Sequence, residues 1–230
     1  MTSSTARRPT VLISGASRGL GAELARIYAA DGWRVLACAR GSVSRTGEAD
    51  RFQLDVADPA SIEALGKALA GVAIDVLINN AAVRGDTGGL STLEADDFLD
   101  VMRVNALAPL LMTRALLANL KDGKRRIVVN ISSRAGSLAE GTLDDDDGDY
   151  AYRCSKAALN MATVKLAQDL KGDGISVLSL HPGWVKTDMG GSDAVVSVAD
   201  SAAGLKAIID RADLAASGSF HAYDGRRISW

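Results

Sequence analysis

The chain has 230 residues, of which 47% are hydrophobic and only 4% aromatic, and its formal net charge is −2. This length suits one α/β domain, whose core must consist mainly of Ala, Val, Leu and Ile. A near-neutral chain without a basic block is not expected to bind nucleic acid. Apolar runs are shorter than the roughly 18 residues that span a bilayer, and the N-terminus lacks the apolar core of a signal peptide.

Two cysteines, Cys38 and Cys154, lie far apart and do not have the spacing of metal ligands. A reducing compartment is the simplest interpretation, so we expect a cytoplasmic protein without a metal site. Residues 1–9 are predicted to be a short N-terminal tail. Residues 10–230 are predicted to form a single domain, because neither a repeat nor a linker divides them.

Short apolar runs alternate along the chain with longer runs of helical period. The predicted strands are Val11–Ser14, Val35–Ala39, Phe52–Asp55, Val76–Asn79, Ile127–Ile131, Ile175–Leu180 and Ser219–Tyr223. Several of these runs are continuously apolar, which is typical of strands buried on both faces of a parallel sheet.

Apolar residues at one-face helical spacing lie between these strands. Helices are predicted over Leu20–Tyr28, Ile62–Leu69, Leu93–Leu120, Ala151–Leu170 and Val198–Ile209. Pro109 falls inside the third span and predicts a kink or an interruption there. Alternating strands and helices imply right-handed crossovers, and therefore an α/β doubly wound sheet of about seven mainly parallel strands with helices on both faces.

A glycine-rich turn follows the first predicted strand. Gly15, Gly19 and Gly21 have G-x-x-x-G-x-G spacing, which permits a tight turn and lets backbone N–H groups approach a pyrophosphate at a helix N-terminus. The alternative is a strand-to-helix turn without a ligand. Its place after the first buried strand favours a dinucleotide and a Rossmann-type domain.

The end of the second predicted strand bears on the choice of dinucleotide. An NAD site usually has an acid there for the ribose 2′-hydroxyl, but this chain has Arg40. Arg18 lies in the glycine turn, and two planar guanidiniums suit a 2′-phosphate. The sequence therefore favours NADP(H) over NAD(H); the alternative is that both arginines are solvated surface residues.

Two of the four tyrosines lie close together, and their spacing to a lysine distinguishes them. Tyr152 and Lys156 are four residues apart and share one face of a helix, whereas Tyr150 has Cys154 at that offset. A neighbouring ammonium lowers the pKa of a phenol from about 10, so that the phenol can protonate a carbonyl oxygen as hydride arrives. Such a pair is, on its own, more often structural.

Ser132 and Ser133 follow the predicted strand Ile127–Ile131, at the sheet edge where α/β proteins place their ligands. A hydroxyl at this position can hydrogen-bond a developing oxyanion. The alternative is two serines that simply end a strand. The spacing does not choose between the two serines.

These motifs, in this order, resemble the short-chain dehydrogenase/reductase family over nearly the whole chain. Ser14–Gly21 is similar to the family's T-G-x-x-x-G-x-G loop, and Asp55-Val56 to its D-V pair beside the adenine. Asn79–Ala82 is similar to N-N-A-G with alanine for glycine. Pro182–Thr187 is similar to the P-G-x-x-x-T loop that meets the nicotinamide.

The family's catalytic set is matched by Asn105, Ser133, Tyr152 and Lys156. The segments 152–160 and 181–189 resemble more narrowly the C-factor/Sniffer-like branch, which includes carbonyl reductases and a developmental signalling factor. The resemblance therefore implies an NADP(H)-dependent oxidoreductase acting on a small carbonyl or alcohol. The alternative is a cofactor-binding signalling or regulatory protein with little or no turnover.

The resemblance also implies the cofactor contacts and a mechanism. The residues expected at the cofactor are Gly15, Ser17, Arg18, Gly19, Leu20, Gly21, Arg40, Asp55, Val56, Asn79, Ala81, Tyr152, Lys156, Pro182, Gly183, Val185 and Thr187. Tyr152 would supply the proton to the carbonyl oxygen, and Lys156 would lower the tyrosine pKa and bind the nicotinamide ribose. Ser133 would orient the carbonyl, and Asn105 would hold a water that links the lysine to solvent. Thr187 would bind the carboxamide.

The chain departs from the family pattern between Ser133 and Tyr152, where extra residues include the run Asp144–Asp147. We interpret this run as a solvated acidic loop rather than a calcium site. The region after Thr187 is short, which predicts an open substrate pocket. Family members commonly pair the helices that correspond to Leu93–Leu120 and 151–170, so a homodimer or homotetramer is expected.

Overall fold

The computed structural model describes residues 7–41, 49–141 and 148–230. Within these ranges seven parallel strands form one sheet in the order β3-β2-β1-β4-β5-β6-β7. The strands are β1 Thr10–Ser14, β2 Arg34–Ala39, β3 Asp50–Gln53, β4 Val76–Asn79, β5 Ile127–Ile131, β6 Ser176–His181 and β7 Phe220–Ala222. The predicted doubly wound parallel sheet is thus confirmed.

Helices cover both faces of this sheet. They are α1 Gly19–Ala30, α2 Pro59–Ala68, α3 Ala95–Met102, α4 Ala108–Ala115, α5 Leu117–Asp122, α6 Tyr150–Asp169 and α7 Val198–Arg211. Successive strand residues point to opposite faces, so Val11 packs in the core beneath α1 and α7, while Leu12 packs in the core beneath α2, α4 and α5. Apolar burial on both faces explains why the strands read as continuous apolar runs.

The helix predicted over Leu93–Leu120 is broken. α3 ends at Met102, a π-helical turn follows over Arg103–Leu107, and α4 begins at Ala108. Pro109 lies in the first turn of α4 as its second residue, so its missing N–H removes a helical donor to a carbonyl of the π turn. The expected interruption takes the form of this π turn, which ends two residues before the proline.

The strand order reverses between β1 and β4, and this switch point opens a cleft at the carboxyl edge of the sheet. The loops that leave β1, β4, β5 and β6 carry the glycine turn, the Asn79–Ala82 motif, the two serines and the Pro–Gly loop. Parallel pairing therefore brings motifs that are far apart in sequence to one edge. No helix in the described part of the chain is long and apolar enough to cross a membrane.

Candidate active site

The glycine turn has the backbone geometry that its sequence predicts. Gly15 and Gly19 have φ values of +68° and +53°, which L side chains rarely adopt. A Cβ on Gly21 would collide with the carbonyl oxygen of Gly15. The Ser14 hydroxyl accepts hydrogen bonds from the N–H groups of Asn80 (3.0 Å) and Ala81 (3.1 Å), and so ties the turn to the loop after β4.

A cleft of about 720 Å³ runs along the carboxyl edge from this turn to α6. All residues predicted to contact the cofactor line it except Asn79, Pro182 and Gly183. The cleft has the size of a ligand pocket, and glycine backbone, apolar side chains and polar side chains line it. These residues fit an extended dinucleotide.

The three predicted cofactor residues that do not line the cleft, Asn79, Pro182 and Gly183, lie behind residues that do. Asn79 is buried below the cleft and its Nδ2 donates to Asn130 Oδ1 (2.9 Å). The Pro182 carbonyl accepts from the Ser201 hydroxyl (2.7 Å), and Gly183 has φ +84° where a Cβ would touch the Tyr223 ring. They shape the loops that carry lining residues, and whether they also touch a cofactor stays a prediction.

Several lining residues were not expected from the sequence. They are Ala39, Gly41, Leu54, Ala57, Asn80, Ala82, Val83, Val104, Ile131, Lys186, Asp188 and Met189. Most are immediate neighbours of motif residues, so the motifs located the right loops while missing individual positions. The N-N-A pattern could have predicted Asn80, because it is the second residue of that motif. Its Nδ2 donates to the Ser14 and Gly15 carbonyls (3.0 and 3.2 Å).

Arg18, in the glycine turn after β1, and Arg40, directly after β2, both line the cleft. Arg18 Nη1 lies 3.2 Å from Asp188 Oδ2, and both side chains are about three-quarters exposed. An ion pair in this much solvent is weak, so the guanidinium remains accessible to a phosphate. The two arginines meet the condition that the NADP(H) prediction requires.

Tyr152, Lys156 and Ser133 come together where the cleft meets β5 and α6. The Lys156 ammonium lies 5.5 Å from the centre of the Tyr152 ring, and it donates to the Ile131 carbonyl (2.9 Å). The Ser133 hydroxyl is near enough to the Tyr152 phenol to lower its pKa, and it accepts from Ala135 N–H (3.1 Å). Tyr150 is the exposed first residue of α6 and has no such partners in the described contacts.

Burial changes the proton affinities of this pair. It lowers the pKa of the Lys156 ammonium to about 8. Burial also raises the pKa of Tyr152 above its ordinary value, against the Ser133 hydroxyl and the charge of Arg84, which lower it. In the protein alone the tyrosine pKa is therefore raised rather than lowered, and the tuning by Lys156 stays a prediction.

The two adjacent serines have different surroundings. Ser132 is 1% exposed and donates to Asn160 Oδ1 (2.7 Å). Asn160 also accepts from the Ser179 hydroxyl (2.9 Å) and donates to the Gly136 carbonyl (3.1 Å). Ser132 therefore belongs to a buried network between β5, β6 and α6, whereas Ser133 faces the tyrosine.

Asn105 lies in the π turn with its side chain fully engaged. Its Oδ1 accepts from Val83 N–H (2.9 Å), and its Nδ2 donates to the Val83 carbonyl (2.8 Å) and the Ser155 hydroxyl (3.0 Å). Ser155 in turn donates to the Tyr152 carbonyl (2.7 Å). The amide thus connects the loop after β4 to the helix that carries the tyrosine.

The model for the short chain dehydrogenase family matches residues 9–194. The chain is 45% identical to the C-signal of Myxococcus xanthus over 157 residues, which are 68% of this chain and 93% of that protein. Two solved structures superpose with a TM-score of 0.89 and cover 97% of this chain and 100% of theirs. They are the NADPH-bound carbonyl reductase from chicken fatty liver (32% identity) and the carbonyl reductase Sniffer of D. melanogaster (28% identity).

A doubly wound sheet with a glycine turn at its switch point defines the class of nucleotide-binding α/β proteins. Within that class, the chain belongs to the short-chain dehydrogenase/reductase family of oxidoreductases. The resemblance to this family, and its narrower form to Sniffer-like carbonyl reductases, is confirmed.

No group of three or more His, Cys, Asp or Glu side chains that could hold a metal occurs in residues 7–41, 49–141 or 148–230. The run Asp144–Asp147, which we interpret as an acidic loop, lies outside the described residues.

Proposed function

We propose that the protein is an NADP(H)-dependent oxidoreductase that transfers hydride between nicotinamide and a carbonyl or alcohol substrate. One observation carries this proposal: Tyr152 lines the cleft with Lys156 one helical turn away and 5.5 Å from its ring centre, and Arg18 and Arg40 line the same cleft. A dinucleotide that extends along this cleft with its 2′-phosphate at the arginines would present its reactive ring to the tyrosine. The NADPH in the chicken carbonyl reductase agrees with this choice of cofactor.

The cofactor, when bound, supplies a hydride to the carbonyl carbon or accepts one from the alcohol. In the direction of reduction, the Tyr152 hydroxyl donates its proton to the substrate oxygen. The Ser133 hydroxyl hydrogen-bonds the same oxygen and stabilises charge on it. Lys156 has a pKa near 8, so it can return a proton towards Tyr152 at neutral pH.

Arg18 and Arg40 would bind the 2′-phosphate as bidentate donors, and Thr187 would bind the carboxamide. The Asn105 side chain is committed to Val83 and Ser155. If a water connects Lys156 to solvent at this residue, we propose that the main-chain carbonyl holds it.

The experiment is a screen of carbonyl compounds with NADPH, comparing wild type with Tyr152→Phe. We expect turnover of some carbonyls by wild type and a loss of at least about 100-fold in the variant. The affinity for NADPH, measured by calorimetry, should stay within about twofold, because the phenol oxygen is a small part of the dinucleotide contact.

The second candidate is a cofactor-binding signalling or regulatory protein. The 45% identity to the Myxococcus C-signal favours it. The complete set of Asn105, Ser133, Tyr152 and Lys156 argues for catalysis, because binding alone does not require it. Normal NADPH binding by wild type without turnover of any carbonyl or alcohol would favour the signalling protein.

A further inference from the structure

The residue before α6 has an unusual backbone conformation. Asp149 has φ 58° and ψ 32°, in the left-handed region, and its side chain does not cap the helix. In the described part of the chain only Arg126 shares a positive φ among non-glycine residues. Asp149 is also 7% exposed, so its carboxylate needs a partner to be stable there.

That partner is Arg84. Its Nε lies 3.1 Å from Asp149 Oδ1, and its Nη2 lies 2.6 Å from Oδ2. This is the bidentate geometry in which a guanidinium holds a carboxylate most rigidly. The left-handed backbone turns the Asp149 side chain towards the arginine instead of towards the helix N-terminus.

Arg84 follows Val83, whose N–H and carbonyl are both held by the Asn105 side chain. The contacts therefore close a ring. It runs from Asn105 to Val83 and Arg84, across the ion pair to Asp149, and along the first six residues of α6 to Ser155, which accepts from Asn105. Tyr152 lies among these six residues, and its carbonyl accepts from the Ser155 hydroxyl.

We propose that Arg84 and Asp149 are positioning residues that fix the start of α6, and with it the Tyr152 hydroxyl, and that their opposite charges set the pH range of turnover. The proposal rests on the proposed oxidoreductase function and assigns to this site two residues that none of its sequence motifs contains.

The charges around Tyr152 support a role beyond packing. The largest influences on the pKa of the phenol are burial, which raises it, and Ser133, which lowers it. Of the charged pair, Arg84 lowers this pKa and Asp149 raises it. Within the described residues, Lys156 also faces the ring, from the same helix. Removing the charge of Asp149 should therefore lower the tyrosine pKa, and removing the charge of Arg84 should raise it.

The test is the pH dependence of kcat/KM for carbonyl reduction in Asp149→Asn and Arg84→Met. Reduction needs the protonated phenol, so activity falls above the tyrosine pKa. We expect this fall to move to lower pH in Asp149→Asn and to higher pH in Arg84→Met, each by about half a pH unit or more. Asparagine tolerates the left-handed backbone, so the first variant should fold.

Positioning is tested by Arg84→Lys, which keeps the positive charge but cannot form the bidentate contact with the Asp149 carboxylate. We expect the pH profile to stay at the wild-type position while kcat falls roughly tenfold, because the tyrosine is less well placed. The matched controls are Arg34→Met and Asp50→Asn. Their ion pair, with Arg34 Nη2 2.8 Å from Asp50 Oδ2, lies at the opposite edge of the sheet. Both controls should keep the wild-type profile.

An ultraviolet titration of the phenolates separates this proposal from the proposed function. The difference between each protein and its Tyr152→Phe derivative isolates Tyr152, and burial keeps Tyr28 protonated well beyond the range of interest. If wild type turns over no substrate, the proposed function fails. The titration still measures the shift of the Tyr152 pKa in Asp149→Asn and in Arg84→Met. Shifts of the same sign in both variants, unchanged titration, or equal shifts in the controls would overturn the proposal.

Discussion

Ser132 and Ser133 are neighbours with the same hydroxyl, yet their surroundings differ completely. Extended backbone sends successive side chains to opposite sides, so one hydroxyl enters the buried network around Asn160 and the other meets Tyr152. The alternation of side chains along the strand end, rather than residue type, separates a structural serine from a candidate catalytic one.

This difference predicts opposite outcomes for two alanine substitutions. Ser133→Ala should lower kcat about 100-fold with little change in the free energy of unfolding, because it removes a donor to the substrate oxygen. Ser132→Ala should cost about 1 kcal/mol of stability and leave kcat within a few-fold, because it removes one buried hydrogen bond. Steady-state kinetics and urea unfolding measure both, and a kcat loss confined to Ser132→Ala would reverse the assignment.

Arg40 carries the cofactor preference at the residue scale. In Arg40→Asp the new carboxylate should repel a 2′-phosphate and accept a ribose hydroxyl, so NADPH affinity should fall at least tenfold relative to NADH. Calorimetric titration with both cofactors measures the ratio. An unchanged affinity for NADPH would show that Arg40 does not contact the phosphate. Arg26→Asp, on the exposed side of α1, is a control for the change in net charge.

At the scale of elements, the π turn between α3 and α4 explains how Asn105 reaches its partners. A π turn inserts one residue into helical geometry and often occurs at functional sites. Here it directs the amide to Val83 on one side and to Ser155 on the other. A regular helix over residues 93–120 would have a different register at this position, so the break is part of the site.

Asn105→Ala should therefore reduce both stability and turnover. The loss of three hydrogen bonds should cost about 2–4 kcal/mol, and the loosened α6 should lower kcat at least tenfold. The control is Asn119→Ala, which removes a buried amide that donates to the Leu69 and Val72 carbonyls (2.6 and 2.8 Å) far from the cleft. It should destabilise the protein similarly without lowering kcat. Equal loss of kcat in both would mean that Asn105 acts only through stability.

At the scale of the whole molecule, packing around the sheet takes part of one ionisable side chain out of water. His181 ends β6, and its Nδ1 is buried without a hydrogen-bond partner. Burial, with the charges of Arg134 and Arg226, lowers its pKa to about 4, while Asp224 and Glu140 raise it. The folded protein therefore holds this imidazole neutral where the unfolded chain protonates it.

This shift predicts acid sensitivity. Between pH 6.5 and 4 the unfolded state binds a proton that the folded state does not, so stability falls as the pH falls through this window. The contribution is on the order of 2–3 kcal/mol and is fully present above pH 6.5. In His181→Gln, the loss of unfolding free energy between pH 7 and pH 4 should be smaller than in wild type by that amount. Urea unfolding at several pH values tests this, and identical losses would refute it.

The expected homodimer or homotetramer also belongs to this scale and stays a prediction, as does the cytoplasmic location. Leu99 and Met161 are more than half exposed on α3 and α6, the helices expected to form such contacts. Sedimentation analysis of the purified protein measures the oligomeric state directly.

The sequence alone determined the order of the motifs along the chain, the parallel sheet and the loops that form the cleft. These follow from apolar period and glycine spacing, which are local signals. The Tyr152–Lys156 pair was likewise readable, because four residues in a helix fix a common face.

Only the tertiary structure decided which serine faces the tyrosine, that Asn80 rather than Asn79 lines the cleft, and that Arg84 holds Asp149. Each depends on side chains that meet across large separations in the chain, 65 positions for Arg84 and Asp149. Such contacts depend on how strands and helices pack and on where the backbone bends. No local pattern in the sequence encodes them, because a hydrogen-bond partner is chosen by proximity in space.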